Sequence, residues 1–120
     1  MSMRRVFFST YLPLFLWMGF IFFLSSQSHL PGPTQSWLNF LLHKIAHIIV
    51  YAVLYLLMYR AVNFGRISKN WMLPIILSLL YAGSDEIHQV FVTGRTPAFR
   101  DVGYDGLGMI IVMLRIYRFI

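Results

Sequence analysis

From Val6 to Leu24 the chain runs nineteen residues without a charge. A stretch of that length can cross a bilayer as a single helix, and Arg4 and Arg5 stand immediately before it. Pro13 would kink such a helix, which membrane helices tolerate. The competing reading is a secretory signal, since Ser26-Gln27-Ser28 loosely resembles a small-x-small cleavage site. The apolar run is longer than a usual signal core, which favours a retained span.

The rest of the chain repeats the pattern. The residues from Gln27 to Asn39, with Pro31, Gly32, Pro33 and Ser36, have loop chemistry, and Trp37 and Phe40 suit a membrane interface. A second apolar run extends over 41–62, a third over 71–91 and a shorter fourth over 101–117. Polar turns separate them, Asn63 to Asn70 and Val92 to Arg100. Apolar residues make up 58% of the 120 and charged residues 12%. A soluble chain this small has too little interior to hide that much apolar surface. The expected fold is all-α, one domain over 1–120, a four-helix antiparallel transmembrane bundle with spans at about 6–26, 41–62, 71–91 and 101–117.

The cations orient it. Alternating spans put Arg4, Arg5, Arg60, Arg66, Lys69, Arg115 and Arg118 on one side, and Lys44, Arg95 and Arg100 on the other. The positive-inside rule then predicts a multi-pass protein of the cytoplasmic membrane with both termini in the cytoplasm. The net charge of +6 follows these flanks, so it reads as topology and lipid attraction, with no nucleic-acid partner expected. The absence of cysteine excludes disulfides, thiolate catalysis and zinc–thiolate sites.

All four acids, Asp85, Glu86, Asp101 and Asp105, fall at the outer end of span three and the outer start of span four. Span two begins at that face with His43, Lys44 and His47. Residues three, four and seven apart share a helix face. That spacing aligns Lys44, His47 and Tyr51; Tyr81, Asp85, His88 and Gln89; and Asp101, Asp105 and Gly108. Asp85 lies roughly 20 Å along its helix, inside the edge of a hydrocarbon core about 30 Å thick. An intramembrane acid is expensive unless paired, which makes it a functional candidate.

Structural alternatives accompany each residue. The acids could pair with Lys44, Arg95 and Arg100 and fix helix register. His47 alone is more often an interhelical hydrogen bond, and His88 could face lipid headgroups. Gly103, Gly106 and Gly108 are expected to allow close helix packing. Tyr51, Tyr55 and Tyr59 are expected to pack and to anchor at the interface. Three functional readings stay open. The first is recognition of an anionic lipid-linked headgroup by Lys44, Arg95, Arg100 and a protonated histidine. The second is a divalent cation held by the four acids and histidine, though no compact metal motif is present. The third is acid–base chemistry by a carboxylate pair or by His47 with Asp85.

The stretches His43-Lys44-Ile45-Ala46-His47 with Tyr51 and Leu54, and Ser84-Asp85-Glu86-Ile87-His88-Gln89-Val90-Phe91 with Gly94-Arg95, Asp101, Asp105 and Gly108, resemble the signature of VanZ-like membrane proteins. Ser25-Ser26-Gln27 and Pro31 also fit. The resemblance covers nearly the whole chain. It implies a small four-helix envelope protein whose shared polar residues are Lys44, His47, Asp85, Glu86, Gln89, Arg95, Asp101 and Asp105. The family's namesake is associated with low-level resistance to the glycopeptide teicoplanin.

The combined expectation is an outward-facing site that binds or processes an anionic lipid-linked molecule, such as a cell-wall precursor or phospholipid. His47, Asp85 and Glu86 are the expected acid–base residues. Lys44, Tyr51, Gln89, Arg95, Arg100, Asp101 and Asp105 are the expected ligand-binding residues. The rival is a non-enzymatic interaction module whose cluster is a structural network. A proton-coupled transporter is a third option, and four short spans would need an oligomer to form its pore.

Overall fold

The structure is a computed structural model and describes residues 2–26, 36–64, 66, 69–92 and 100–118, with the side chains of Ser36 and Arg100 outside that set. Among the described residues there is no strand. The helices are α1 (Met3–Ser25), α2 (Ser36–Val62), α3 (Met72–Val90) and α4 (Arg100–Ile116).

Helix α1 starts at a serine cap, the Arg5 amide donating to Ser2 Oγ at 3.4 Å. Its first turns widen into a π turn at Phe7–Tyr11, with the Leu12 amide bonded to the Phe7 carbonyl five residues back. Pro13 explains the widening. It has no N–H to offer the Ser9 carbonyl four residues earlier, and its ring crowds that carbonyl. A π turn relieves the crowding. The stranded carbonyl is met from α2, where Arg60 Nη2 donates to Ser9 O at 3.3 Å. Thr10 folds its own hydroxyl back onto Val6 O at 2.5 Å.

Pairings between helices fix their directions. Trp17 Nε1 donates to Val50 O at 2.9 Å while Arg60 reaches Ser9, so α1 and α2 run opposite ways. Tyr81 Oη donates to Met18 O at 2.5 Å, and Ser25 meets His88 one helix end further on, so α1 and α3 run together. Lys44 pairs with Asp101, and Tyr117 Oη donates to Tyr59 Oη at 3.3 Å, so α2 and α4 also run together. Asn63 closes the turn between α2 and α3, its side-chain amide donating to Tyr59 O at 3.1 Å and Asn70 O at 3.2 Å. Consecutive helices therefore alternate in direction.

The core lies along α2, where Leu54 and Tyr55 are wholly buried against Ala82 of α3 and Met109 of α4. Tyr51 and Tyr59 share this row, and Tyr55 Oη points to Trp71 O at 3.5 Å. The tyrosine series is thus internal packing. Outward faces carry apolar side chains such as Leu16 on α1, Ile49 on α2, Leu80 on α3 and Ile111 on α4. Water does not favour such faces over so much of a surface, whereas lipid does. Among the described residues two helices are long and apolar enough to cross a bilayer, over Met3–Ser25 and Trp37–Val62. Helix α4 has 17 residues, and α3 carries Asp85 and Glu86.

Two expectations change. Helix α2 starts at Ser36, five residues before the apolar run at 41, so Trp37 to Phe40 are helical and not loop. Nothing after Pro33 breaks a helix, and apolar periodicity marks a buried stripe, not the first turn. The three glycines of α4 also separate. A Cβ on Gly108 would lie 2.2 Å from Ile48 O, so α2 and α4 touch backbone to backbone there. A Cβ on Gly103 would meet open space, and one on Gly106 would only touch Leu79 at 3.9 Å.

Candidate functional site

One end of the bundle gathers the polar stripes, where α1 and α3 finish and α2 and α4 begin. Because α2 and α4 run parallel, residues 44 and 47 climb beside residues 101 and 105. Lys44 Nζ is ion-paired with Asp101 Oδ1 and also lies over the rings of Phe40 (5.1 Å) and Tyr104 (5.3 Å). His47 Nδ1 meets Asp105 Oδ1 at 2.8 Å, and its Nε2 stands 4.0 Å from Asp101 Oδ2. One turn deeper, Tyr51 stacks in near-parallel alignment with His47 and donates its hydroxyl to Asp85 Oδ2 at 3.2 Å. The result is a ladder of acids from α3 and α4, met by a lysine, a histidine and a tyrosine from α2.

The ladder is dry. Asp105 and Glu86 are 1% exposed, Gln89 5% and Asp85 6%. Among the described residues Asp85 Oδ1 and Asp105 Oδ2 have no hydrogen-bond partner, and His43 Nε2 has none either. A buried acceptor without a donor is costly, about 1–3 kcal/mol and more for a charged group. Such atoms commonly mark a ligand position or an ordered water.

The expected residues distribute as follows. Lys44, His47, Tyr51, Asp85, Asp101 and Asp105 are brought together by direct contacts. Glu86 and Gln89 are buried on the same stretch of α3. Arg95 lies outside the described residues, and Arg100 is the first residue of α4 with its side chain outside them. Lys44 is already engaged by Asp101. Asp85, Asp101 and Asp105 are met, among the described residues, by Tyr51, Lys44 and His47. Among the described residues no three of His, Asp and Glu are grouped closely enough to hold a metal ion.

Two contacts were not anticipated. Ser25, the last residue of α1, is buried and its Oγ lies 3.1 Å from His88 Nδ1. Phe22 stacks on the His88 imidazole with ring centres 4.3 Å apart. His88 therefore faces α1, not only lipid headgroups. The signal for it was present: His88 is three residues after Asp85, and Ser25 is the first small polar residue after the apolar run.

The arrangement defines an α-helical protein with apolar outer faces and a buried acid–histidine cluster at one end. The model of the VanZ/LLP1 family matches residues 10–120, and the chain belongs to that family. Neither the curated proteins nor the solved structures give a significant match.

Proposed function

We propose that this VanZ-family chain crosses the cytoplasmic membrane four times, with both termini inside and the cluster near the outer face. There it binds or processes an anionic lipid-linked molecule. One observation carries the reading: Asp85 Oδ1 and Asp105 Oδ2 are buried acceptors without donors among the described residues. A hydroxyl or amino group on a ligand headgroup would supply those donors. Phosphate on the same headgroup would fall to Arg95 and Arg100, whose guanidinium forks match it. An acyl or prenyl chain would lie between the helices, among their apolar side chains.

A proton-transfer role for His47 is supported by its hydrogen bond to Asp105 and its stacking on the tyrosine that holds Asp85. Asp85, Glu86 and His47 are the proposed acid–base residues. Where the ligand is a lipid-linked cell-wall precursor, resistance to a glycopeptide such as teicoplanin is the physiological consequence we propose.

The second reading is a non-enzymatic interaction module held by a structural network. It is favoured by Lys44–Asp101 and His47–Asp105, which neutralise one another without a ligand. Native mass spectrometry with lipidomics separates the two, comparing wild type with Arg95→Ala. A phosphorylated lipid retained by wild type and lost from the variant supports the ligand site. The absence of a specific lipid from both supports the module.

A further inference from the structure

Helix α1 brings no charged group to the cluster, yet its last residue touches it. Ser25 is 2% exposed and meets the end of α3 that carries two titratable side chains, Asp85 and His88. On one side its Oγ is 3.1 Å from His88 Nδ1. On the other side is Asp85, one helical turn before His88 on α3, buried and with Oδ1 unpartnered among the described residues. His88 itself is only partly buried, and the Phe22 ring stacks against it at an interplanar angle of 18°. A ring held by a stack on its face and a hydroxyl at Nδ1 has a fixed orientation. It joins a partly accessible group to a buried one.

We infer, resting on the ligand-site reading above, that His88 and Ser25 form a proton relay from the partly exposed rim of the bundle to Asp85. A hydroxyl has one proton to donate and lone pairs to accept with. With His88 neutral and bare at Nδ1, Ser25 donates its proton to that nitrogen. Asp85 Oδ1 then has no donor, as observed. When His88 carries a proton on Nδ1, the direction reverses. The N–H donates to Ser25 Oγ, and the hydroxyl turns its own proton to Asp85.

Transfer along that line moves the Nδ1 proton to Ser25 Oγ as the serine proton passes to Asp85. One proton has then gone from His88 to Asp85, and the hydroxyl rotates back unchanged. The charged groups behind the relay are Asp85 and Glu86 on α3, Lys44 and His47 on α2, and Asp101 and Asp105 on α4. Asp85 is the one that Tyr51 links to the α2 side, since Tyr51 donates to its other oxygen. Ser25 and His88 are thus positioning and proton-carrying residues for the cluster, not groups that meet the ligand.

The test is histidine ring ¹⁵N NMR on the full chain in lipid nanodiscs, with the His88 signal assigned through His88→Gln. The titration midpoint of His88 is measured in wild type, Ser25→Thr and Ser25→Ala, each with and without Asp85→Asn. Asp85→Asn is expected to move the midpoint equally in wild type and Ser25→Thr. In Ser25→Ala the movement is expected to fall by roughly half or more. The remainder is direct coupling between residues three apart on one helix. Equal movement in all three backgrounds overturns the relay. Ser25→Val, isosteric with Ser25→Thr but without the hydroxyl, replaces the alanine variant if the latter does not fold. Lipid retained by wild type is quantified in parallel. An uncoupled His88 in lipid-loaded protein overturns the relay alone, whereas a coupled His88 in protein that retains no lipid supports the relay and overturns the ligand-site reading.

Discussion

The Ile48 carbonyl oxygen faces Gly108 at a range that admits no side chain, since a Cβ there would sit 2.2 Å away. This contact lies one residue past His47 on α2 and three past Asp105 on α4, so it sets the height at which those two side chains meet. Gly108→Ala is expected to push α4 away and cost about 1–3 kcal/mol, the usual penalty for overpacking. Unfolding in mixed micelles measures it. Gly103→Ala is the control, because a Cβ there meets open space, and it is expected to be neutral or slightly stabilising.

Arg60 is expected to matter because Pro13 is present. Arg60→Met leaves the Ser9 carbonyl without its donor and is expected to cost about 1 kcal/mol. In a Pro13→Ala background the helix can supply its own amide to Ser9, so the same change is expected to cost less. A double-mutant cycle on unfolding free energies reads the coupling. Additive effects would show that Arg60 does not serve the carbonyl that Pro13 strands.

Lys44 and Asp101 are nearly buried, with side chains 14% and 11% exposed. Removing one partner leaves an uncompensated charge, so Lys44→Met is expected to destabilise by about 3 kcal/mol or more. Lys44→Met with Asp101→Leu is expected to recover most of that loss. If the recovered protein also keeps its bound lipid, the pair serves the fold. If lipid is lost while stability returns, the pair serves the ligand.

Topology has its own test. The chain has no cysteine, so a single introduced thiol is unambiguous. Thr93→Cys is expected to react with an impermeant maleimide added to intact cells, and Gly65→Cys only after lysis. The reverse pattern would invert the orientation.

Helical spacing made much of the site readable in advance. Lys44, His47 and Tyr51 share a face, and each was found bonded to an acid of α3 or α4. Spacing shows which residues face the same way, but not which partners they meet. Lys44 was expected to hold phosphate, and it holds Asp101. The Ser25–His88 contact was signalled only by a small polar residue closing the apolar run of α1 and a histidine one turn after Asp85, and neither names the other as partner. The early start of α2 was equally hidden, since loop composition and a first helical turn overlap around Ser36. Pro13 announced a distortion, while the donor that reaches the Ser9 carbonyl comes from Arg60, a residue 47 positions away.

The most direct measurement of the central claim is lipid retention by the doubly substituted protein, Asp85→Asn with Asp105→Asn, in native mass spectrometry beside wild type. Both substitutions keep shape and one acceptor oxygen, while replacing the other carboxylate oxygen, the one that lacks a donor among the described residues, by an amide NH2. The account predicts a folded protein whose occupancy by the phosphorylated lipid falls at least about tenfold, equivalent to 1.4 kcal/mol or more. Unchanged occupancy in the folded variant would contradict it and leave the cluster as a structural network.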